Sequence, residues 1–146
     1  MNNLKFRAYI KSIQKIVNVT EIDFNNKMLT LNIATNKVYP ETSYWWKETE
    51  LAFSQVIIMQ STGLKDKNGK EIFEGDILNC GYIFTGSSFE EQDDYIEDIG
   101  VVKIVNCGAV VKIYEEIENL IDVLNTCEDI EVIGNIYENK ELLENE

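Results

Sequence analysis

The sequence predicts a mainly β protein: an N-terminal β-meander, then a small SH3-like, barrel-like C-terminal β lobe with one short helix near residues 115–125. Three observations predict it. Apolar and polar residues alternate in several short runs, the period of a half-buried strand. Turn-forming pairs such as Asn25-Asn26 and Asn68-Gly69 punctuate those runs. One segment, Ile117, Leu120, Ile121 and Leu124, has the i, i+3, i+4, i+7 spacing of a helix face.

Leu4, Phe6, Ala8 and Ile10 alternate with Lys5, Arg7 and Tyr9 and read as the first strand. Residues 11–15 are a polar turn. Ile16 to Phe24 is β-branched and extended. Asparagine tolerates positive φ better than most residues, so Asn25-Asn26 suits a tight hairpin before Leu29, Leu31 and Ile33. Residues 36–50 are less regular, and the cluster Tyr44, Trp45, Trp46 reads as a helical turn or a loop. Phe53 to Met59 is an apolar run that fits a buried strand. Ser61 to Gly75 is rich in turns, and Asn68-Gly69 is the pair a type I′ hairpin demands. Glu74-Gly75-Asp76 enters the apolar Ile77-Leu78 as the diverging turn of an SH3-like barrel does, a fold-level analogy. Gly81 to Gly100 carries six carboxylates, from Glu90 to Asp98, and reads as a long exposed loop. Residues 101–105 and 109–113 are two β-branched strands joined at Asn106-Cys107-Gly108. Glu115, Glu116 and Glu118 suit the first turn of the helix that follows. Ile130, Val132, Ile133 and Ile136 form a last strand before a polar tail at 139–146. The whole reads as one unit, 1–146, with lobes at 1–60 and 61–138.

The bulk composition narrows the function. At 146 residues and 45% hydrophobic, the chain is long enough to bury a core unaided. No apolar run reaches the roughly 20 residues of a membrane span, and no secretory signal opens it. Cys80, Cys107 and Cys127 are odd in number and scattered, which suits reduced thiols inside a cell. Histidine is absent. That removes Ser-His and Cys-His nucleophiles, His-containing zinc sites and imidazole acid–base chemistry. Charge is lopsided. Residues 1–86 hold 10 Lys+Arg and 9 Asp+Glu, whereas residues 87–146 hold 3 and 17. Such a field argues against wide electrostatic grip on nucleic acid and permits a basic partner, although acidity also serves solubility.

Three segments together resemble a known family. They are Lys5-Phe6-Arg7-Ala8-Tyr9, the long stretch from Met59 to Ile77 with Gly63-Leu64-Lys65-Asp66 and Phe73-Glu74-Gly75-Asp76, and Glu131-Val132-Ile133-Gly134-Asn135-Ile136-Tyr137-Glu138-Asn139 followed by Glu141-Leu142-Leu143. In this order and spacing the chain resembles the YopX family of bacteriophage and prophage proteins over nearly its whole length. It departs from the pattern at Tyr9, Ser61 and Lys140, where a tryptophan, an aromatic and a proline are usual. The resemblance implies a mainly β fold and a phage or prophage origin. It supplies no catalytic residues.

No residue set commits the chain to catalysis, a cofactor or a metal. Asp66, Asn68 and Gly69 faintly resemble a calcium loop, but the glycine comes too early and the closing glutamate is missing. The bland reading of this stretch is that Gly63, Gly69 and Gly75 supply backbone freedom at successive turns. The candidate interaction surface is Tyr44, Trp45, Trp46, Arg7, Lys65, Asp66 and Lys67, because exposed aromatics anchor interfaces. The leading expectation is a non-catalytic module that binds a host or phage protein, with self-association through strand edges as a further possibility. The alternatives are a carboxylate- or Mg²⁺-dependent hydrolase or nuclease, and a nucleic-acid-binding module that uses the N-terminal half.

Overall fold

The computed structural model describes residues 4–35, 45–84, 94–106, 108–113, 116–127 and 129–144. Among the described residues eleven strands form two antiparallel sheets of six and five strands, with one short helix. By their internal contacts, Lys5–Met59 form one compact unit, and Met1–Leu4 with Gln60–Glu146 form the other.

In the first unit, β1 (Phe6–Ile10), β2 (Lys15–Asp23), β3 (Met28–Thr35) and β4 (Trp45–Ala52) pair with their sequence neighbours as a meander, as expected. A 3-10 turn at Phe53–Gln55 then leads into β5 (Val56–Lys65), which lies beside β1. The apolar run at 53–59 is therefore part turn and part strand. Gln55 explains the split, because its side-chain Oε1 accepts from the Ala52 N–H at 2.9 Å and fixes the turn. Alternation places Ala8, Ile10, Leu29, Leu31 and Val56 in one core, with Val17, Ile22, Leu51 and Phe53 packed on it.

In the second unit the order is β10-β9-β8-β7-β11, made of β7 (Asp76–Phe84), β8 (Asp94–Val105), β9 (Gly108–Ile113), β10 (Glu116–Asn119) and β11 (Asp129–Asn135). The short β6 (Glu71–Phe73) pairs with β5. The core is Ile72, Leu78, Cys80, Val102, Val111, Leu120, Val123, Ile130 and Val132. The sheet is open, with β10 and β11 as its terminal strands, so the barrel-like expectation is corrected: among the described residues there is no closed barrel.

Four further expectations change. Gly81 to Gly100 is mostly strand: β7 and β8 stay in register from Ile77↔Val101 to Phe84↔Asp94, and only 85–93 lies outside both strands and outside the described residues. Carboxylates misled because they are uncommon in strands, yet period-two pairing needs only alternate positions. Residues 45–50 belong to β4, paired from Trp45↔Thr35 to Ala52↔Met28, whereas Tyr44 lies outside the described residues. The helix α1 is shorter and later than expected, Leu120–Thr126, because Glu116–Asn119 pairs with β9 and Asn119 Oδ1 accepts from the Ile121 N–H at 2.9 Å as the N-cap. Its inner face is Leu120, Val123, Leu124 and Cys127, the expected spacing moved three residues on; Ile117 and Ile121 are exposed. Finally, Asn25-Asn26 lies in a loop between the paired Asp23 and Met28, where Lys27 and not an asparagine takes positive φ (+55°). Among the described residues no helix is long and apolar enough to cross a membrane.

Candidate functional site

The segment richest in polar residues, 61–76, is a chain of side-chain-to-backbone ties. Ser61 Oγ accepts from the Gly63 N–H at 3.0 Å and donates to Glu71 Oε1 at 2.6 Å. Thr62 Oγ1 donates to the Ile72 carbonyl at 2.8 Å. Next in the chain, Gly63 takes φ +75°, where the β5–β6 register shifts between Ser61 and Lys65. Ser61, one of the departures from the family pattern, is thus built into the bulge.

Gly69 N–H donates to the Asp66 carbonyl, and Asp66 N–H to the Lys70 carbonyl, both at 2.9 Å. Gly69 takes φ +79°, and Asn68 is not among the positive-φ residues. The loop is therefore a type I turn closed by a left-handed glycine and not the type I′ turn expected from the Asn-Gly pair. Downstream, Gly75 takes φ +80°, and its N–H donates to the Val102 carbonyl while its own carbonyl accepts from Ile136 N–H. The buried Asp76 accepts from the Phe73 N–H at 2.8 Å. Gly69 and Gly75 stand at turns and Gly63 at the bulge within β5, and all three take the positive φ that glycine tolerates.

Asp66 is the hub. It is buried, and Oδ1 accepts from the N–H groups of Asn68 and Lys70, both at 2.9 Å. Oδ2 accepts from the buried Val132 N–H of β11 at 3.1 Å. Burial alone raises the carboxyl's pKa, but the N–H donors of Val132, Lys70 and Asn68, with the Lys70 charge, outweigh it and hold the group below its ordinary value. The same turn meets β11 twice more. Lys67 N–H donates to the Ile130 carbonyl at 3.0 Å, and Asn68 Nδ2 donates to Glu131 Oε1 at 3.1 Å. Lys67 Nζ lies 3.5 Å from Asp129 and 3.3 Å from Glu131, and the hydrogen bond to Glu131 raises its pKa most.

The end of β11 repeats this chemistry. Asn135 Oδ1 accepts from the N–H groups of Tyr137 and Glu138, and Asn139 Oδ1 accepts from Asn135 N–H at 3.2 Å. A Cβ on Gly134 would sit 2.7 Å from Asn139 Oδ1, so the close approach requires glycine. The second and third segments of the family resemblance thus hold each other through Asp66–Val132, Lys67–Ile130 and Gly75–Ile136. Sequence reasoning missed Asn135 and Asn139; the available signal was their mutual spacing beside a glycine.

The candidate interaction residues fall in both units. Arg7 is buried on β1 opposite Asn18. Lys65 and Lys67 are exposed, and Asp66 is buried. Trp45 and Trp46 lie on β4, in the unit of residues 5–59, whereas Lys65 to Lys67 lie in the other. Among the described residues no group of three or more His, Cys, Asp or Glu is placed to hold a metal ion. Burial, and then the charges of Cys127, Asp98 and Glu118, push the Cys80 thiol up to about 12, so it stays protonated at neutral pH and packs as a small apolar group.

A family model described as YopX protein matches residues 5–144. One solved structure that the chain resembles is the crystal structure of protein EF1440 from Enterococcus faecalis. The two are 29% identical, the match covers 96% of this chain and 97% of that one, and the TM-score is 0.60. No curated protein matches the chain.

Proposed function

The chain belongs to the YopX family, and from that premise we propose that it is a non-catalytic phage or prophage accessory module that binds another protein in the cytoplasm of a bacterial host. One observation carries the reading: the motif carboxylates and amides are committed to backbone N–H groups. Asp66 uses both oxygens in this way, Asp76 accepts from Phe73, and Asn135 and Asn139 close their own turn. Groups so held build a frame, and a general base must instead reach a substrate proton. What the frame offers outward is surface: strand edges and exposed apolar side chains such as Phe24, Ile117 and Ile121.

The test is capture from host cells at physiological salt with the full chain as bait, beside a turnover screen against nucleic acids and nucleotides with Mg²⁺ or Mn²⁺. A stoichiometric protein partner and no turnover are expected. Turnover abolished by a single Asp→Asn change would overturn the reading.

A further inference from the structure

We propose that the outer edge of β10 is a docking strand for an extended, basic segment of another protein. The inference rests on the protein-binding reading and names its surface and the chemistry of the partner. β10 is a terminal strand of the five-stranded sheet, so among the described residues its outer backbone groups face no further strand. All four residues, Glu116 to Asn119, are exposed. Ile117 is 62% exposed, and Ile121, just beyond the Asn119 cap, is 52% exposed. An open edge flanked by isoleucines is the arrangement to which a peptide adds as a strand, with backbone bonds giving affinity and alternate side chains giving selectivity.

Charge decides the occupant. Strand alternation puts Glu116 and Glu118 on one face and Ile117 on the other. A second copy of this chain is disfavoured. In a two-fold antiparallel pairing of one edge strand with itself, directly opposite residues share a face and so differ by an even number. Glu116 then opposes Glu118, or one of the two glutamates opposes its own copy, and like charges directly opposite are destabilising. A strand with Lys or Arg at alternate positions instead sets a cation against each glutamate and an apolar residue against Ile117. No ion pair engages Glu116 or Glu118 among the described residues. The wider field has the same sign: residues 60–146 hold 6 Lys+Arg and 21 Asp+Glu, against 7 and 5 in residues 5–59. That field steers a cationic segment toward this unit.

The probe is a capped heptapeptide of alternating lysine and valine, titrated into isotope-labelled full chain and followed by amide NMR shifts. Shifts confined to β10, β9 and Ile121 are expected, and they should fade as salt is raised. E116K/E118K, which keeps the strand but reverses its charge, should weaken binding about tenfold. Ile117→Thr, a good strand former, should weaken it less. No binding, or shifts scattered over the acidic surface and unchanged in E116K/E118K, overturns the proposal. So does a concentration-dependent dimer that E116K/E118K abolishes. Partners from host cells that bind the parent chain and E116K/E118K equally overturn the β10 assignment but leave the protein-binding reading standing. A chain that captures no partner yet passes the peptide titration does the reverse.

Discussion

Two hairpin turns in this chain are built around an aspartate. At the β2–β3 turn, Asp23 Oδ1 accepts from the N–H groups of Asn25 (2.9 Å) and Asn26 (3.0 Å), and Oδ2 accepts from Asn26 Nδ2 at 2.7 Å. At the turn between β5 and β6, Asp66 accepts from Asn68, Lys70 and Val132. Each carboxylate receives three N–H donors, and each is held below its ordinary pKa, Asp23 chiefly by the Asn26 backbone. The difference is reach. Asp23 is only half-buried, its hydrogen bonds face solvent, and all its partners lie within three residues. Asp66 is buried, and one partner lies 66 residues away. Local donors return to water at little loss when the Asp23 carboxylate is removed, whereas a buried donor left unpaired costs about 1–3 kcal/mol. One turn shapes a hairpin, and the other ties two distant segments together.

Removing each carboxylate gives the largest contrast. Asp66→Ala leaves the Val132 N–H buried without its acceptor and unties the turn from β11, so we expect a loss of about 3 kcal/mol in urea unfolding. Asp23→Ala should shift the midpoint far less. Equal losses would break the comparison, because burial and reach would then not set the cost.

Acid sharpens it next. The Asp66 carboxyl has a lower pKa in the fold than its ordinary 3.8. In the window between those values the unfolded chain binds more protons, so stability rises with pH there. The Asp66 contribution is complete above the unfolded value and is lost as pH falls through the folded one. Asp66→Asn does not titrate. The stability gap between it and the parent chain should therefore be constant near neutral pH and shrink below about pH 3.8. Paired urea titrations across that range check it; a gap independent of pH would remove Asp66 from the acid response.

The third contrast concerns backbone. Gly69 takes φ +79°, and a Cβ there would meet nothing within 4 Å. Gly69→Ala thus isolates the left-handed penalty from any clash and should cost about 1 kcal/mol. Gly134→Ala, by comparison, also forces the Asn139 side chain to move.

How much of this the sequence held depends on range. The meander, the glycine turns, the Asn106 hairpin with φ +50° and the last strand were legible, since each follows from residues within a few positions. The division of 115–126 was not. Ile117 fits a helical stripe as well as a strand, and only pairing with Lys112 decides. Likewise Asp66 reads as a surface loop residue until β11 supplies the Val132 N–H. Arg7 stands at the polar position between Phe6 and Ala8, where strand alternation predicts an outward side chain, and only the fold shows that it is buried. Nothing local marks a polar residue whose partner lies far along the chain.

The smallest expected effect runs in the opposite direction and tests the local turn by itself. The residue with positive φ at the Asp23 turn is Lys27, at +55°. A lysine there bears the Cβ clash that Gly69 avoids, roughly 1 kcal/mol. Its carbonyl accepts from Phe53 N–H at 2.9 Å, and the Phe53 ring meets Phe24 edge-on at 6.1 Å, so the conformation is held from outside the turn. Lys27→Gly relieves the clash but enlarges the unfolded ensemble by about 0.5–1 kcal/mol. The net change should be a gain of a few tenths of a kcal/mol at most, read from the urea midpoint at constant slope. A loss well beyond that range would mean that the lysine side chain, and not the Asp23 carboxylate, holds the turn, and the two aspartate turns would then not be comparable.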